Sequence, residues 1–311
     1  MLVRLRFLLL SLWLGISAEA AVHAAPSVVI VSSERGAAYV EAAEALVGEL
    51  ERGGLPRQEM LQLTVSEWAG AGPLTPKLFV AIGTDAVNFL AKAELRAPVL
   101  GTLLPRNSFE RILLASGRKP SSQFSALYLD QPLSRQLELI RIALPNVRRV
   151  GVLWGAESQG QAAGLKTLVL ARGLELVEAT VELNEVLFPR LKAVLEEADV
   201  LLAVPDPQLY NGSSIQNILL ASLRGRVPLV AFSPAYVRAG AVLALHVTPT
   251  QIGLQAAVIT RGVLQGKALS ATPLYSQDFS VTVNEHVARS LGLTLDADVL
   301  RARLRRREGM P

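Results

Sequence analysis

Leu78-Phe79-Val80-Ala81-Ile82-Gly83-Thr84, followed by Ala97-Pro98-Val99-Leu100-Gly101-Thr102, has a counterpart further along the chain. The counterpart is Val200-Leu201-Leu202-Ala203-Val204-Pro205-Asp206, followed by Val227-Pro228-Leu229-Val230-Ala231-Phe232. In each copy an apolar run suited to a buried parallel strand ends at a polar turn. A helix-like stretch follows, and a proline opens the next apolar run. A duplicated strand-helix-strand unit predicts an α/β chain of two Rossmann-like lobes with parallel sheets, joined by a hinge of several chain passes. Open α/β sheets take ligands beyond the carboxyl ends of their strands. Gly83, Thr84, Thr102, Pro205, Asp206 and Ser233 are therefore expected to face a shared cleft.

With 311 residues, 50% of them hydrophobic, the chain has material for two ordinary cores. The start is basic (Arg4, Arg6) and runs into the apolar stretch Phe7 to Ile16, then into small residues. That pattern reads as an export signal. Cleavage is expected after Ala24 or after Ala20, so residues 1–24 are assigned to a signal peptide. The apolar run is shorter than the ~20 residues that span a bilayer. The chain has no cysteine, which excludes disulfides, thiol catalysis and the lipid-bearing cysteine of a lipoprotein. A soluble periplasmic product, monomeric and close to neutral, is the expectation. Arg301, Arg303, Arg305, Arg306 and Arg307 read as a solvated final helix rather than a nucleic-acid patch.

Hydrophobic spacing and stop signals divide the rest. Strands are expected at Ser27 to Ser33, Leu61 to Val65, Phe124 to Leu129, Arg149 to Trp154, Leu174 to Val181, Ala241 to Leu245 and Ser280 to Val283. Helices are expected at Ala37 to Arg52, Phe109 to Ser116, Leu133 to Leu144, Gln161 to Arg172, Pro189 to Glu197, Ile215 to Leu223, Pro249 to Leu264, Glu285 to Leu291 and Asp296 to Leu304. Ala69 to Pro76, rich in glycine and proline, reads as a loop. The helix from Pro249 is expected to cross back onto the first lobe. The domains predicted are 25–130 with 248–274, and 131–247 with 275–311, with joints near Asp130-Gln131-Pro132, Val247-Thr248 and Leu274-Tyr275.

Several of these stretches resemble the substrate-binding proteins of ABC transporters with a type I periplasmic-binding fold, in the subgroup that includes aromatic amino acid receptors. The segments are Val80-Ala81-Ile82-Gly83-Thr84, Leu144-Pro145-Asn146-Val147, Val150-Gly151-Val152-Leu153-Trp154, Ala203-Val204-Pro205-Asp206, Gly240-Ala241, Ile252-Gly253-Leu254-Gln255-Ala256-Ala257 and Leu264-Gln265-Gly266-Lys267. The resemblance implies a receptor that captures a small, amino-acid-like molecule and delivers it to an inner-membrane ABC permease. Two stretches depart from the family pattern near the expected pocket. Leu104-Pro105 stands where similar proteins often carry Asp-Pro, and Ser122 to Ala126 stands where they carry Gly-Asn-x-Thr-Gly. A clamshell that senses a ligand for a membrane receptor or kinase, without transport, is the alternative.

Ser32, Ser33 and Thr84 lie where strands give way to helices, so their hydroxyls are candidates for an anion or for plain helix capping. Gly83 allows close backbone approach. Asp206, between Pro205 and Pro207, is the sharpest candidate: a carboxylate at a strand end whose natural partner is an amine, or else a turn aspartate bonded to its own loop. Asp130, Asn211 and Ser233 join it at strand ends. Trp154 and Tyr236, with Tyr210, are candidates for flat apolar walls or for lobe packing. Enzyme readings do poorly. His246 and His286 have no ligand-like spacing, no Gly-x-Ser-x-Gly occurs, and Gly160 to Thr167 only imitates a phosphate loop. No cofactor and no metal are implied.

Overall fold

A computed structural model describes residues 26–310. The expected signal peptide lies outside the described residues. Lobe one begins with β1 (Val28–Ser32), α1 (Ala37–Arg52), β2 (Met60–Thr64), β3 (Leu78–Ile82), α2 (Thr84–Lys92), β4 (Val99–Leu104), α3 (Arg106–Ser116) and β5 (Phe124–Tyr128). Lobe two follows with α4 (Leu133–Ala143), β6 (Arg149–Trp154), α5 (Ala162–Leu170), β7 (Glu175–Thr180), α6 (Leu187–Glu197), β8 (Val200–Leu202), α7 (Ile215–Arg224), β9 (Leu229–Ala231), α8 (Pro234–Ala239) and β10 (Leu243–His246). The chain then returns to lobe one for α9 (Pro249–Leu264) and β11 (Leu274–Tyr275). It ends in lobe two with β12 (Ser280–Val283), α10 (Glu285–Ser290) and α11 (Ala297–Arg307).

The first sheet runs β11-β5-β4-β3-β1-β2, with every pairing parallel. The second runs β12-β10-β9-β8-β6-β7, parallel except for the antiparallel edge strand β12. Strands buried on both faces need no polar alternation, and every residue of β3 is buried. Leu46 and Leu50 of α1 and Ile252 and Ala256 of α9 cover one face of the first sheet. Val87 and Leu90 of α2 and Phe109 and Ile112 of α3 cover the other. In lobe two, α4, α5 and α11 cover one face, and α6, α7 and α8 the other. Each fully buried aliphatic side chain stabilises by ~1.5–3 kcal/mol.

The return of α9 to lobe one has a local cause. Thr248 and Gln251 form a capping box at its start, Pro249 occupies the first turn, and Gly253 lets it lie against α1. A Cβ on Gly253 would stand 2.3 Å from the Ala42 carbonyl oxygen. Three details differ from the sequence expectations. The helix α3 starts at Arg106 rather than Phe109, with Pro105 at its N-cap. A 3-10 helix over Val65–Gly70 occupies the start of the expected loop, fixed by a Thr64–Glu67 capping box. Its Trp68 lies 5.7 Å from Phe79 and 5.4 Å from Phe89. Leu274 and Tyr275 both pair with β5, so the third passage between the sheets begins after Tyr275.

A polar network ties the passes together. Arg135 of α4, almost wholly buried, donates to Gln131 Oε1 (2.7 Å), to the Ser276 carbonyl (2.9 Å) and to both carboxylate oxygens of Glu308 (2.8 Å each). Its guanidinium carbon lies 4.8 Å from the centre of the Phe279 ring. Gln251 Nε2 donates to Asp278 (3.0 Å), and Ser276 Oγ and the Gln277 N–H donate to Gln255 Oε1 (3.1 and 2.8 Å). Arg135 thus bridges Gln131 and Ser276, and side chains of α9 hold Ser276, Gln277 and Asp278.

Candidate functional site

Turns between buried strands must satisfy their own backbone first, and most of the predicted site residues are used for that. Ser33 Oγ donates to the Ile82 carbonyl (3.3 Å) and accepts from the Ala86 N–H (3.0 Å), capping α2 from the neighbouring strand end. Gly83 has φ 95°, and a Cβ there would lie 2.5 Å from Ser33 Oγ and 2.6 Å from Tyr39 Cε1. No other residue fits. Thr84 opens α2, and Thr102 Oγ1 is turned inward to the Ala81 carbonyl (3.1 Å). Ser32 lines a separate small cavity of about 220 Å³ with Arg57 and Glu67.

Lobe two repeats the pattern with stronger acceptors. Asp206 is 2% exposed. One carboxylate oxygen accepts from Ser158 N–H (3.0 Å) and Ser158 Oγ (2.8 Å), the other from Gln208 N–H (2.9 Å). The expectation of a carboxylate held out for an amine is corrected: its oxygens are spent on two loops. Asn211 Oδ1 accepts from Ser213 and Ser214, and its Nδ2 donates to the Pro207 and Gln208 carbonyls. It shapes its own loop. Trp154 is 1% exposed in the lobe-two core, with its indole N–H on Glu178 (2.7 Å), so its ring is no wall of a cleft. Tyr236 donates to the Tyr210 carbonyl (2.9 Å), its ring edge-on to Phe232 at 5.0 Å.

Asp130 lies at a passage between the lobes, where its carboxylate accepts from the Arg106 N–H at the start of α3. Burial pushes its pKa up to about 6, against the lowering effect of that backbone bond.

Among the described residues, two side-chain contacts join α3 to lobe two, and a solvent-open cavity lies between the lobes. Asn107 Nδ2 of α3 donates to the Pro205 carbonyl (3.1 Å), and Arg111 is ion-paired with Glu157. The cavity, of about 580 Å³, is within the usual range for a small-molecule site. Lobe one contributes Glu34, the start of α1 with Tyr39, Leu103 and Leu129. Lobe two contributes Ser233, Pro234 and His246, and the crossing segment Val247–Pro249 closes one side. Ser233, which also caps α8 through the Ala235 N–H (3.2 Å), is the predicted site residue found there. A larger apolar groove of about 880 Å³ lies between α6 and α7, but lobe two alone lines it.

Of the lining residues that sequence reasoning missed, Glu34, Leu103 and Leu129 sit one position from Ser33, Thr102 and Asp130, while Tyr39 in α1 and His246 at the end of β10 are distant from any site candidate it named. Leu103 has φ 53°, where the β4–β5 register shifts between Thr102 and Leu104. A left-handed leucine costs on the order of 1–3 kcal/mol, and a bulge of this kind re-aims a side chain next to a site. Tyr39 is kept protonated by burial first, then by the negative charges of Glu34 and Asp85. His246 is held neutral by burial, its Nε2 hydrogen-bonded to Thr282 Oγ1 at 2.9 Å. Among the described residues, no group of three or more His, Asp or Glu is placed to hold a metal ion, and no helix is long and apolar enough to cross a membrane.

Comparison with known proteins agrees with the two-lobed fold. The ligand-free, open structure of a substrate binding protein with adhesive properties from Clostridium difficile superposes with a TM-score of 0.69 at 19% identity, covering 87% of this chain and 96% of that one. The ABC domain in complex with L-Trp from Streptococcus pneumonia gives 0.61 at 17% identity, over 89% and 98%. These likenesses place the fold among the type I periplasmic binding proteins. A tyrosine-binding protein of Clostridioides difficile (strain R20291) is 22% identical over 226 residues, which are 71% of this chain and 65% of that relative's length. The family described as ABC transporter substrate binding protein matches residues 74–304. That match spans most of the sequence, and the chain belongs to the ABC transporter substrate binding protein family.

Proposed function

We propose that this protein is a periplasmic solute receptor that captures a small molecule between its two lobes and hands it to an inner-membrane ABC permease. The observation that carries the reading is the cavity of about 580 Å³ whose walls come from both lobes and from a crossing segment. A solute held there touches Tyr39, Leu103 and Leu129 on one side and Ser233 and His246 on the other. Its full set of contacts exists only when the walls are close. Such differential affinity for the closed state is what drives a hinge motion. The hinge is assigned to Asp130–Pro132, Val247–Thr248 and Ser276–Asp278, with the lobes at 25–130 plus 248–275, and at 131–247 plus 276–311. The leader at residues 1–24 directs the chain to the periplasm, and the permease reads the closed form. The relatives' tyrosine and L-Trp support a solute with an aromatic or apolar body, and the leucines of the cavity suit one.

The test is mass spectrometry of the solute released on denaturing the purified protein, followed by a thermal-shift titration with it. A ligand at 100 times its Kd is expected to add ~2.7 kcal/mol of stability. Loss of uptake of the same compound in a deletion strain tests delivery. Absence of any released or stabilising solute would contradict the reading.

A further inference from the structure

Both side-chain bonds from α3 to lobe two lie apart from the cavity. Asn107 is 7% exposed. Its Oδ1 accepts from the Ser108 N–H (2.8 Å), and its Nδ2 is directed outward to the Pro205 carbonyl of lobe two (3.1 Å). Arg111, about one turn further along the helix, pairs with Glu157. None of Asn107, Arg111, Pro205 and Glu157 lines the cavity.

Both ends of these bonds are anchored. On lobe one, Arg106 precedes Asn107 and ties the start of α3 to two of the crossing segments. Its N–H donates to the Asp130 carboxylate at the first passage, and its guanidinium donates to the hydroxyl of Tyr275 (3.3 Å), which leads into the third. On lobe two, Pro205 precedes Asp206 and Glu157 precedes Ser158. Asp206 accepts from the N–H and the hydroxyl of Ser158 (3.0 and 2.8 Å), so the two acceptors move as one body. Glu157 Oε2 is buried without a partner, which leaves Arg111 to hold this carboxylate.

A bond made at one separation of the lobes favours that separation, whichever solute is present. The arrangement that forms the Asn107–Pro205 bond is also the one in which Leu103 and Leu129 share a cavity with Ser233 and His246. Apparent affinity scales with the fraction of molecules in the binding-competent arrangement.

We propose that Asn107 and Arg111 of α3 form a latch between the lobes. They are positioning residues that raise the affinity for the solute by holding the cavity walls together, without touching it. This rests on the receptor reading above and deepens it. The buried amide counts for more than the ion pair, whose arginine is half exposed.

The experiment compares wild type with Asn107→Asp, Arg111→Glu, Glu157→Arg and the last two combined. Asn107→Asp keeps an acceptor for the Ser108 N–H and loses the donor to Pro205, which separates the latch from the helix start. One readout is the distance between spin labels on Val258→Cys in α9 and Leu183→Cys beyond β7, exposed positions on opposite lobes, with no solute added. The other is calorimetric affinity for L-tyrosine, L-tryptophan and the solute released from the wild-type protein. In Asn107→Asp the distance distribution is expected to broaden, and the Kd of every solute that binds to rise by one common factor of about threefold to tenfold. Arg111→Glu and Glu157→Arg are expected to raise it about twofold to threefold, and the exchanged pair to return it towards wild type. A merely structural role moves the melting temperature and gives no recovery on exchange. The proposal is overturned if Asn107→Asp leaves distribution and Kd unchanged, if it binds more tightly, or if the loss differs between solutes, which would put the residue in contact with them. A broadened distribution with no solute bound by the wild-type protein sinks the receptor reading, and the claim on affinity with it.

Discussion

The two lobes solve one local problem with different chemistry. In each, the end of the sheet's first strand in sequence must be stitched to the turn after its neighbour. Lobe one does it with a hydroxyl and a glycine: Ser33 Oγ bridges Ile82 and Ala86, and Gly83 at φ 95° makes room for it and for Tyr39. Lobe two uses a buried carboxylate: Asp206 gathers Ser158 and Gln208, with Gly155 so close that a Cβ would lie 2.6 Å from an Asp206 oxygen. Most of the polar side chains named at strand ends serve the loops, and sequence neighbours such as Glu34, Leu103 and Leu129 line the cavity.

The largest expected effect tests the helix layers of the two lobes. Gly253→Val drives a side chain into the Ala42 carbonyl and Ala45 and is expected to cost about 3 kcal/mol or more, read from chemical denaturation. At Gly164 in α5 of lobe two, a Cβ would meet nothing within 4 Å, and Gly164→Ala is expected to gain ~0.5–1 kcal/mol. Equal costs at the two sites would break the comparison.

The stitches themselves come next. Asp206→Ala leaves buried donors without an acceptor and is expected to cost about 2–3 kcal/mol in the same assay. Ser33→Ala, the lobe-one counterpart, removes one cap and is expected to cost ~1 kcal/mol. A smaller loss at Asp206 than at Ser33 would reverse the account.

A third pair sets Asp206, with its several donors, against Asp130 at the hinge. The folded pKa of Asp130, about 6, lies above the unfolded value near 3.8, so the folded state holds its proton longer. Stability from this group is present below about pH 4 and is lost as pH rises to about 6. Asp130→Asn is expected to remove that decline and to gain on the order of 1–2 kcal/mol at pH 7. Urea melts from pH 3.5 to 7.5 check it, and a slope unchanged in the variant would contradict it.

Much of the fold was legible because apolar runs of strand length leave few choices. The helix over Ala37–Arg52, the strand over Arg149–Trp154 and the Pro249–Leu264 helix stand where spacing, proline and glycine put them. Strand β11 has only two residues, too few for any period to show, and Trp68 gave no sign that its 3-10 turn packs on Phe79. The site was less legible. Sequence identifies strand ends but not which way a residue turns there, and the bulge at Leu103 shifts the lining by one. Asp206 and Trp154 carry suitable chemistry, yet burial claims both. Ser233 lines the cavity because it follows a strand, caps α8 and borders the gap at once.

The central claim is closure of the two lobes on a shared solute, and the absence of cysteine makes it directly measurable. Spin labels on Leu114→Cys in α3 and Leu183→Cys beyond β7, both strongly exposed positions on opposite lobes, report the distance across the gap by pulsed electron resonance. Saturation with the solute released from the protein is predicted to narrow the distance distribution and shift it to shorter values. A distribution that does not change at saturation would contradict the account.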